Sequence, residues 1–170
     1  MDYKIVIVLV LALAFLGYQY FLQKPKFVNG TLAPDFSGKL LSGETFKLSN
    51  QKGKYVLIDF WGTWCPSCKA ELPILKKVAE DFKDKKFDNA SELVVIGVAL
   101  EKNPSGFSSF IDNNDLYWME HIVDFIGEGS ISATYGVKSV PTKYLINPQG
   151  QIMSYGSLAS IRKILSEHRK

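Results

Sequence analysis

Val56-Leu57-Ile58-Asp59-Phe60-Trp61-Gly62-Thr63-Trp64-Cys65-Pro66-Ser67-Cys68-Lys69-Ala70-Glu71-Leu72-Pro73 contains both cysteines of this 170-residue chain, three positions apart. The run before them, Val56 to Phe60, is almost continuously apolar, as expected of a strand covered on both faces. After them Leu72, Leu75, Val78, Ala79 and Phe82 recur at helical spacing, which predicts a helix from Pro66 to Phe82. Pro66 suits its first turn, where no N–H is needed, and Pro73 inside it should kink it. A Cys-x-x-Cys pair placed there can close into a disulfide within one helical turn and reopen without loss of the fold. The helix N-terminus favours negative charge, so Cys65 is the candidate nucleophile and Cys68, one turn on, the resolving thiol.

Leu93 to Leu100 reads as a second buried strand, and Pro104-Ser105 opens a short helix to about Asn113. Strand, helix, strand and helix in succession imply a parallel pair with crossover connections. Ile131 to Tyr135 is predicted as another short helix and Thr142 to Ile146 as a strand. Asn147-Pro148-Gln149-Gly150 is a turn signal, and Gln151 to Tyr155 alternates like the returning strand of a hairpin. Ser160 fits a helix N-cap ahead of Ile161, Ile164 and Leu165. Upstream, Phe36 to Leu48 around Ser42-Gly43-Glu44 reads as a hairpin, and Lys83 to Asn89 as a charged, solvated loop. The sum is a mixed sheet with helices on both faces. Asn113 to Ser130, with Trp118 and His121, carries no motif, and a lone histidine there reads as surface or packing.

With 46% hydrophobic residues the chain suffices for one domain with a proper core. Its 20 basic and 17 acidic residues are scattered, which gives nucleic-acid binding no support. Two cysteines cannot build a disulfide framework, and His121 and His168 are not spaced as zinc partners, so no metal is expected. Ile5 to Leu22, in contrast, is 18 residues without a charge. At 1.5 Å per residue this nearly covers a hydrocarbon core of roughly 30 Å, with Tyr18 and Tyr20 suited to its interface. Ala12-x-Ala14 resembles a cleavage motif but sits inside the apolar run, so an uncleaved anchor is favoured over a cleaved signal peptide. The expected division is a segment at 1–23, a linker at 24–30 and a folded domain at 31–170. Lys24, Lys26 and Lys39 after the segment would hold the domain inside by the positive-inside rule, but that rule weakens for large following domains.

Phe60 through Pro73, together with Val140-Pro141-Thr142, resembles the thioredoxin superfamily, and most of all its membrane-tethered TlpA, ResA and CcmG branch. Ala33-Pro34-Asp35-Phe36 and the hairpin after it resemble that branch's N-terminal addition, and Tyr144 to Gly150 its second hairpin. The resemblance spans roughly residues 30 to 170. It implies a three-layer α/β/α thioredoxin-like fold with a mixed central sheet and an N-terminal hairpin, preceded by one transmembrane or signal helix. It also implies an extracytoplasmic thiol–disulfide oxidoreductase without a cofactor, a reductase of exported protein disulfides such as apocytochrome c in cytochrome c maturation. Its partners would be those substrates and a membrane thiol-transfer electron donor.

Carried over residue by residue, the resemblance makes Cys65 the nucleophile and Cys68 the resolving thiol of the redox-active disulfide. Pro141 should follow a cis bond facing the dithiol, with the Val140 backbone open to an extended substrate segment. Asp59 matches the buried acid that acts as general base toward Cys68; the plain alternative is a carboxylate satisfied at a strand end. Glu71 matches the acid of a Cys-x-x-Cys-x-x-Glu-x-Pro pattern, or is simply a solvated glutamate favoured by the helix dipole. Trp64 and Pro66 would form the substrate rim, Trp61 serving either that rim or the core. Pro66-Ser67 departs from the Gly-Pro of ordinary thioredoxin and lies nearer the Pro-Thr of cytochrome-maturation relatives. Two other readings remain: a peroxiredoxin, which needs threonine where Gly62 stands, and a copper chaperone, whose relatives use a wider cysteine spacing and a histidine absent near Val140.

Overall fold

The computed structural model of the protein describes residues 3–23, 27, 29–127 and 129–170, the backbone alone at 20–23. Lys24, Pro25, Lys26 and Val28 of the expected linker lie outside the described residues. In chain order the elements are α1 (Tyr3–Gln23), β1 (Ser37–Lys39), β2 (Thr45–Lys47), β3 (Tyr55–Trp61), α2 (Pro66–Phe82), β4 (Leu93–Glu101) and α3 (Phe107–Asn113). They continue with β5 (Glu120–Phe125), α4 (Ile131–Thr134), β6 (Thr142–Ile146), β7 (Ile152–Tyr155) and α5 (Leu158–Glu167). Side chains of α1 are described as far as Gln19, and among the described residues no helix is long and apolar enough to cross a membrane.

Five strands pair in the order β5-β4-β3-β6-β7. The first three are parallel, and β6 and β7 run antiparallel, so the sheet is mixed as expected. All seven residues of β3 are buried, and the two-residue period of a strand divides them between two cores. Tyr55, Leu57 and Trp61 join Leu72, Leu75, Val78 and Phe82 of α2, Phe107 and Ile111 of α3, and Ile161 and Leu165 of α5. Val56, Ile58 and Phe60 face the opposite way, toward Phe36, Phe46, Leu48 and Tyr135. Asp59 falls in the first set by position and therefore points into the face covered by α2.

The hairpin β1-β2 turns at Gly43, whose φ of 89° lies where a side chain would strain the backbone. It docks beside β5 through a bridge between Leu40 and Ile122, and Gly38 packs so closely that a Cβ there would stand 2.7 Å from Ile122 Cγ2.

Four local readings change. β5 lies within Asn113 to Ser130, where no strand is expected, because its buried polar residues interrupt the apolar alternation. Asp124 accepts hydrogen bonds from the N–H groups of Ile131 and Ser132 at the start of α4, and His121 Nε2 lies 2.9 Å from the Leu116 carbonyl oxygen. α5 starts earlier than expected, with Ser157 rather than Ser160 at its N-cap, and the Ser160 hydroxyl meets that of Ser154. The Lys83–Asn89 loop is not wholly solvated, since Phe87 is buried against Tyr55 and Phe82. α3 begins at Phe107 rather than Pro104, behind Gly106 in a left-handed conformation.

Burial holds the His121 imidazole below its ordinary pKa, against the raising effect of its hydrogen bond to Leu116. The unfolded chain therefore binds the extra proton first, and stability falls as pH drops below about 6.5. Denaturant midpoints measured across that range should decline on acidification. His121→Gln, which keeps a donor for Leu116, should remove this part of the slope.

Candidate active site

The dithiol sits where β3 hands over to α2, and β4 holds the turn between them. Thr63 N–H donates to Glu101 Oε1 at 2.7 Å, and the Trp64 indole N–H donates to the Leu100 carbonyl at 2.7 Å. Gly62 lies beneath that indole: a Cβ there would be 2.7 Å from Trp64 Nε1, which leaves no room for a side chain. The rest of Trp64 stays outside, with 55% of its surface exposed beside the site. Trp61 belongs to the core, fully buried among Phe107, Phe110 and His121.

Cys65 is the N-cap of α2, in extended conformation, and its sulfur accepts the Cys68 N–H at 3.1 Å. Pro66 fills the first helical position, where its missing N–H leaves no donor unmet. The two cysteines are joined in a disulfide, buried, with Cα atoms 5.3 Å apart. The Ser67 hydroxyl lies 3.3 Å from the Cys65 sulfur. The Val140–Pro141 peptide is cis, and the Val140 carbonyl oxygen stands 3.8 Å from the same sulfur. Two segments 75 residues apart are thus brought together as the sequence reading expected.

Behind the disulfide lies a group of charges. The antiparallel register of β3 and β6 sets Lys143 directly across from Asp59. Lys143 Nζ is 3.1 Å from Asp59 Oδ1 and 2.6 Å from Glu71 Oε2. The first contact is close enough for an ion pair, yet Oδ1 makes no well-directed hydrogen bond, so attraction there is mainly coulombic. The second is a hydrogen-bonded ion pair. Lys143 and Asp59 are both buried, whereas the Glu71 side chain is 42% exposed, so the charges form a path from the core to the surface. Burial pushes the Asp59 carboxyl above its ordinary pKa; Lys143 opposes that rise and Glu71 adds to it.

Asp59, Glu71, Cys65, Cys68, Trp64, Pro66, Val140 and Pro141 are all placed at this end of the sheet or directly behind it. Sequence reasoning missed Lys143 and Glu101. The only trace of either was a charge inside an apolar strand pattern, and what it faces depends on register and on the end of a neighbouring strand. Among the described residues no cluster of three or more His, Cys, Asp or Glu side chains is arranged to hold a metal ion.

A family model described as the AhpC/TSA family matches residues 29–155. The chain belongs to that family. The chain is 35% identical over 153 residues to the thioredoxin-like protein YneN of Bacillus subtilis (strain 168), covering 86% of this chain and 84% of that one. It is 30% identical over 171 residues to the thiol-disulfide oxidoreductase ResA of Bacillus thuringiensis subsp. konkukian (strain 97-27), covering 99% of this chain and 94% of the relative. Among solved structures, the thioredoxin domain of the thiol-disulfide oxidoreductase BVU-2223 from Bacteroides vulgatus matches with a TM-score of 0.69 at 26% identity. That match covers 82% of this chain and 99% of the other. This AhpC/TSA member is therefore a thioredoxin-like enzyme of the thiol–disulfide oxidoreductase type, with Cys65 and Cys68 as its dithiol.

The grip of β4 on the turn before the dithiol can be measured. Glu101→Ala removes a buried charged acceptor and leaves the Thr63 N–H without it, which should cost about 1–3 kcal/mol in urea unfolding of the oxidised protein. Glu101→Gln keeps an acceptor oxygen and should cost less.

Proposed function

We propose that the protein is a membrane-anchored reductase of disulfides in exported proteins, working on the extracytoplasmic face. The observation that carries this reading is the disulfide at the N-terminus of α2, opposed by the Val140 carbonyl across the cis bond. In the reduced enzyme the free N–H groups of the helix end favour the Cys65 thiolate. That thiolate attacks one sulfur of a substrate disulfide, forming a mixed disulfide and releasing the other sulfur as a thiolate. Asp59 then takes the proton of the Cys68 thiol, and the Cys68 thiolate attacks the Cys65 sulfur. The second substrate sulfur leaves and is protonated, the substrate has gained two electrons, and the enzyme holds the Cys65–Cys68 disulfide. A membrane thiol-transfer donor returns two electrons to restore the dithiol.

The remaining sequence-predicted residues serve binding in this scheme. The Val140 backbone and Pro141 meet an extended substrate segment, while exposed Trp64 and Pro66 supply an apolar rim. The uncharged run Ile5 to Leu22, helical in α1, supports an anchor at 1–23, followed by a linker at 24–30 and the catalytic domain at 31–170. Oxidised apocytochrome c is one substrate that suits this placement, alongside other exported proteins that carry a disulfide. A peroxidase fits poorly, because the threonine it needs at position 62 would collide with the Trp64 indole.

Cys68→Ala in the full chain should accumulate mixed disulfides on Cys65 under oxidising conditions, visible as adducts that disappear on reduction. Absence of such adducts overturns the assignment of the nucleophile. Direction is tested by equilibrating the wild-type dithiol with glutathione, where about 30 mV corresponds to a tenfold change for a two-electron couple. A potential near that of strong periplasmic oxidants overturns the reductase reading while leaving the exchange chemistry intact.

A further inference from the structure

We propose that Lys143 is a shared counterion whose division between Asp59 and Glu71 sets the pH at which the buried acid can accept a proton. This deepens the reading of Asp59 as general base and rests on it. Lys143 and Glu71 are then positioning residues, acting on the chemistry through Asp59.

A single ammonium stands 3.1 Å from one carboxylate and 2.6 Å from the other, and the closer partner is the one that reaches solvent. Glu71 lies three residues after Cys68, on the same face of α2, so the lysine is tied to the helix that carries the resolving thiol. Few other charged or titratable groups face the pair. α2 presents Cys68 and Glu71, and α5 covers this face with apolar Ile161 and Leu165. β4 places Gly97 beside Asp59, without a side chain, and beyond it lies His121 of β5, whose imidazole burial holds below its ordinary pKa.

The two partners should therefore act with opposite sign. Taking away the lysine leaves a buried carboxylate with no compensating charge and with Glu71 still nearby, which favours the protonated acid. Taking away the Glu71 charge removes a repulsion and frees the lysine for Asp59, which favours the carboxylate. Because Glu71 is partly exposed, salt and docked charged groups can reach this balance, while Asp59 itself remains sealed.

The test uses the full chain in its reduced form. Two quantities are followed against pH: the single-turnover rate of oxidised glutathione reduction, and the Asp59 carboxyl signal by carbon-detected NMR. Lys143→Met should move the Asp59 midpoint up by about one to three pH units, Lys143→Arg should largely restore it, and Glu71→Gln should move it down by about one unit or less. Shifts of both variants in the same direction, or no NMR shift in either, overturn the proposal. If Lys143→Met fails to fold, the half-exposed Glu71→Gln decides alone, and the absence of a downward shift overturns it. Asp59→Asn separates the two levels of the argument. An unchanged rate profile in that variant overturns the general-base reading, while the NMR shifts still decide whether the lysine is shared.

Discussion

Burying β3 on both faces makes its two-residue period sort every side chain it carries into one of two cores. Because Trp61 and Leu57 pack toward α2, Asp59 between them must do so as well, and a carboxylate is driven into an apolar layer. Charge isolated there would be costly, and the compensating charge has to come from a neighbouring strand. β6 supplies it because its antiparallel register sets Lys143 opposite Asp59. The same strand begins just after Pro141, so the residues that balance the acid and those that face the disulfide arrive on one short piece of chain.

An ion pair sealed in a core is weak evidence for stability, since desolvation of two charges commonly consumes most of their attraction. Burial holds the Asp59 carboxyl above its ordinary pKa and Lys143 opposes that rise, so the pair sets opposing influences on one buried acid. Replacement by apolar residues of similar volume could match the packing, yet would remove both charges.

The dithiol depends on a second constraint, the fixed turn between β3 and α2. Glu101 and Leu100, at the end of β4, hold Thr63 and Trp64 from outside the segment that contains the cysteines. Gly62 allows the Trp64 indole to lie directly over the backbone, so Trp64 is placed by hydrogen bonding while its surface stays exposed. Cys65 is thereby set at the helix N-cap, with its sulfur accepting the Cys68 N–H.

Local pattern was enough to locate β3, α2 and β6, because each carries a period or a punctuating proline that a single stretch of chain expresses. The dithiol at the head of α2 and its closeness to Val140-Pro141 were legible for the same reason, reinforced by the family resemblance. β5 was not legible, because His121 and Asp124 are satisfied by backbone groups of Leu116, Ile131 and Ser132 and so break an apolar alternation without being exposed. Ser160 looked like a cap because capping residues are common beside apolar runs; the chain path assigned that place to Ser157. Lys143 and Glu101 belong to the site only through strand register and strand length, which are long-range properties of the sheet. A dithiol at a helix N-terminus behind a buried strand can be read from one stretch of chain, because those features are local. Which charge meets Asp59 emerges on folding alone, because pairing across the sheet joins residues 84 positions apart.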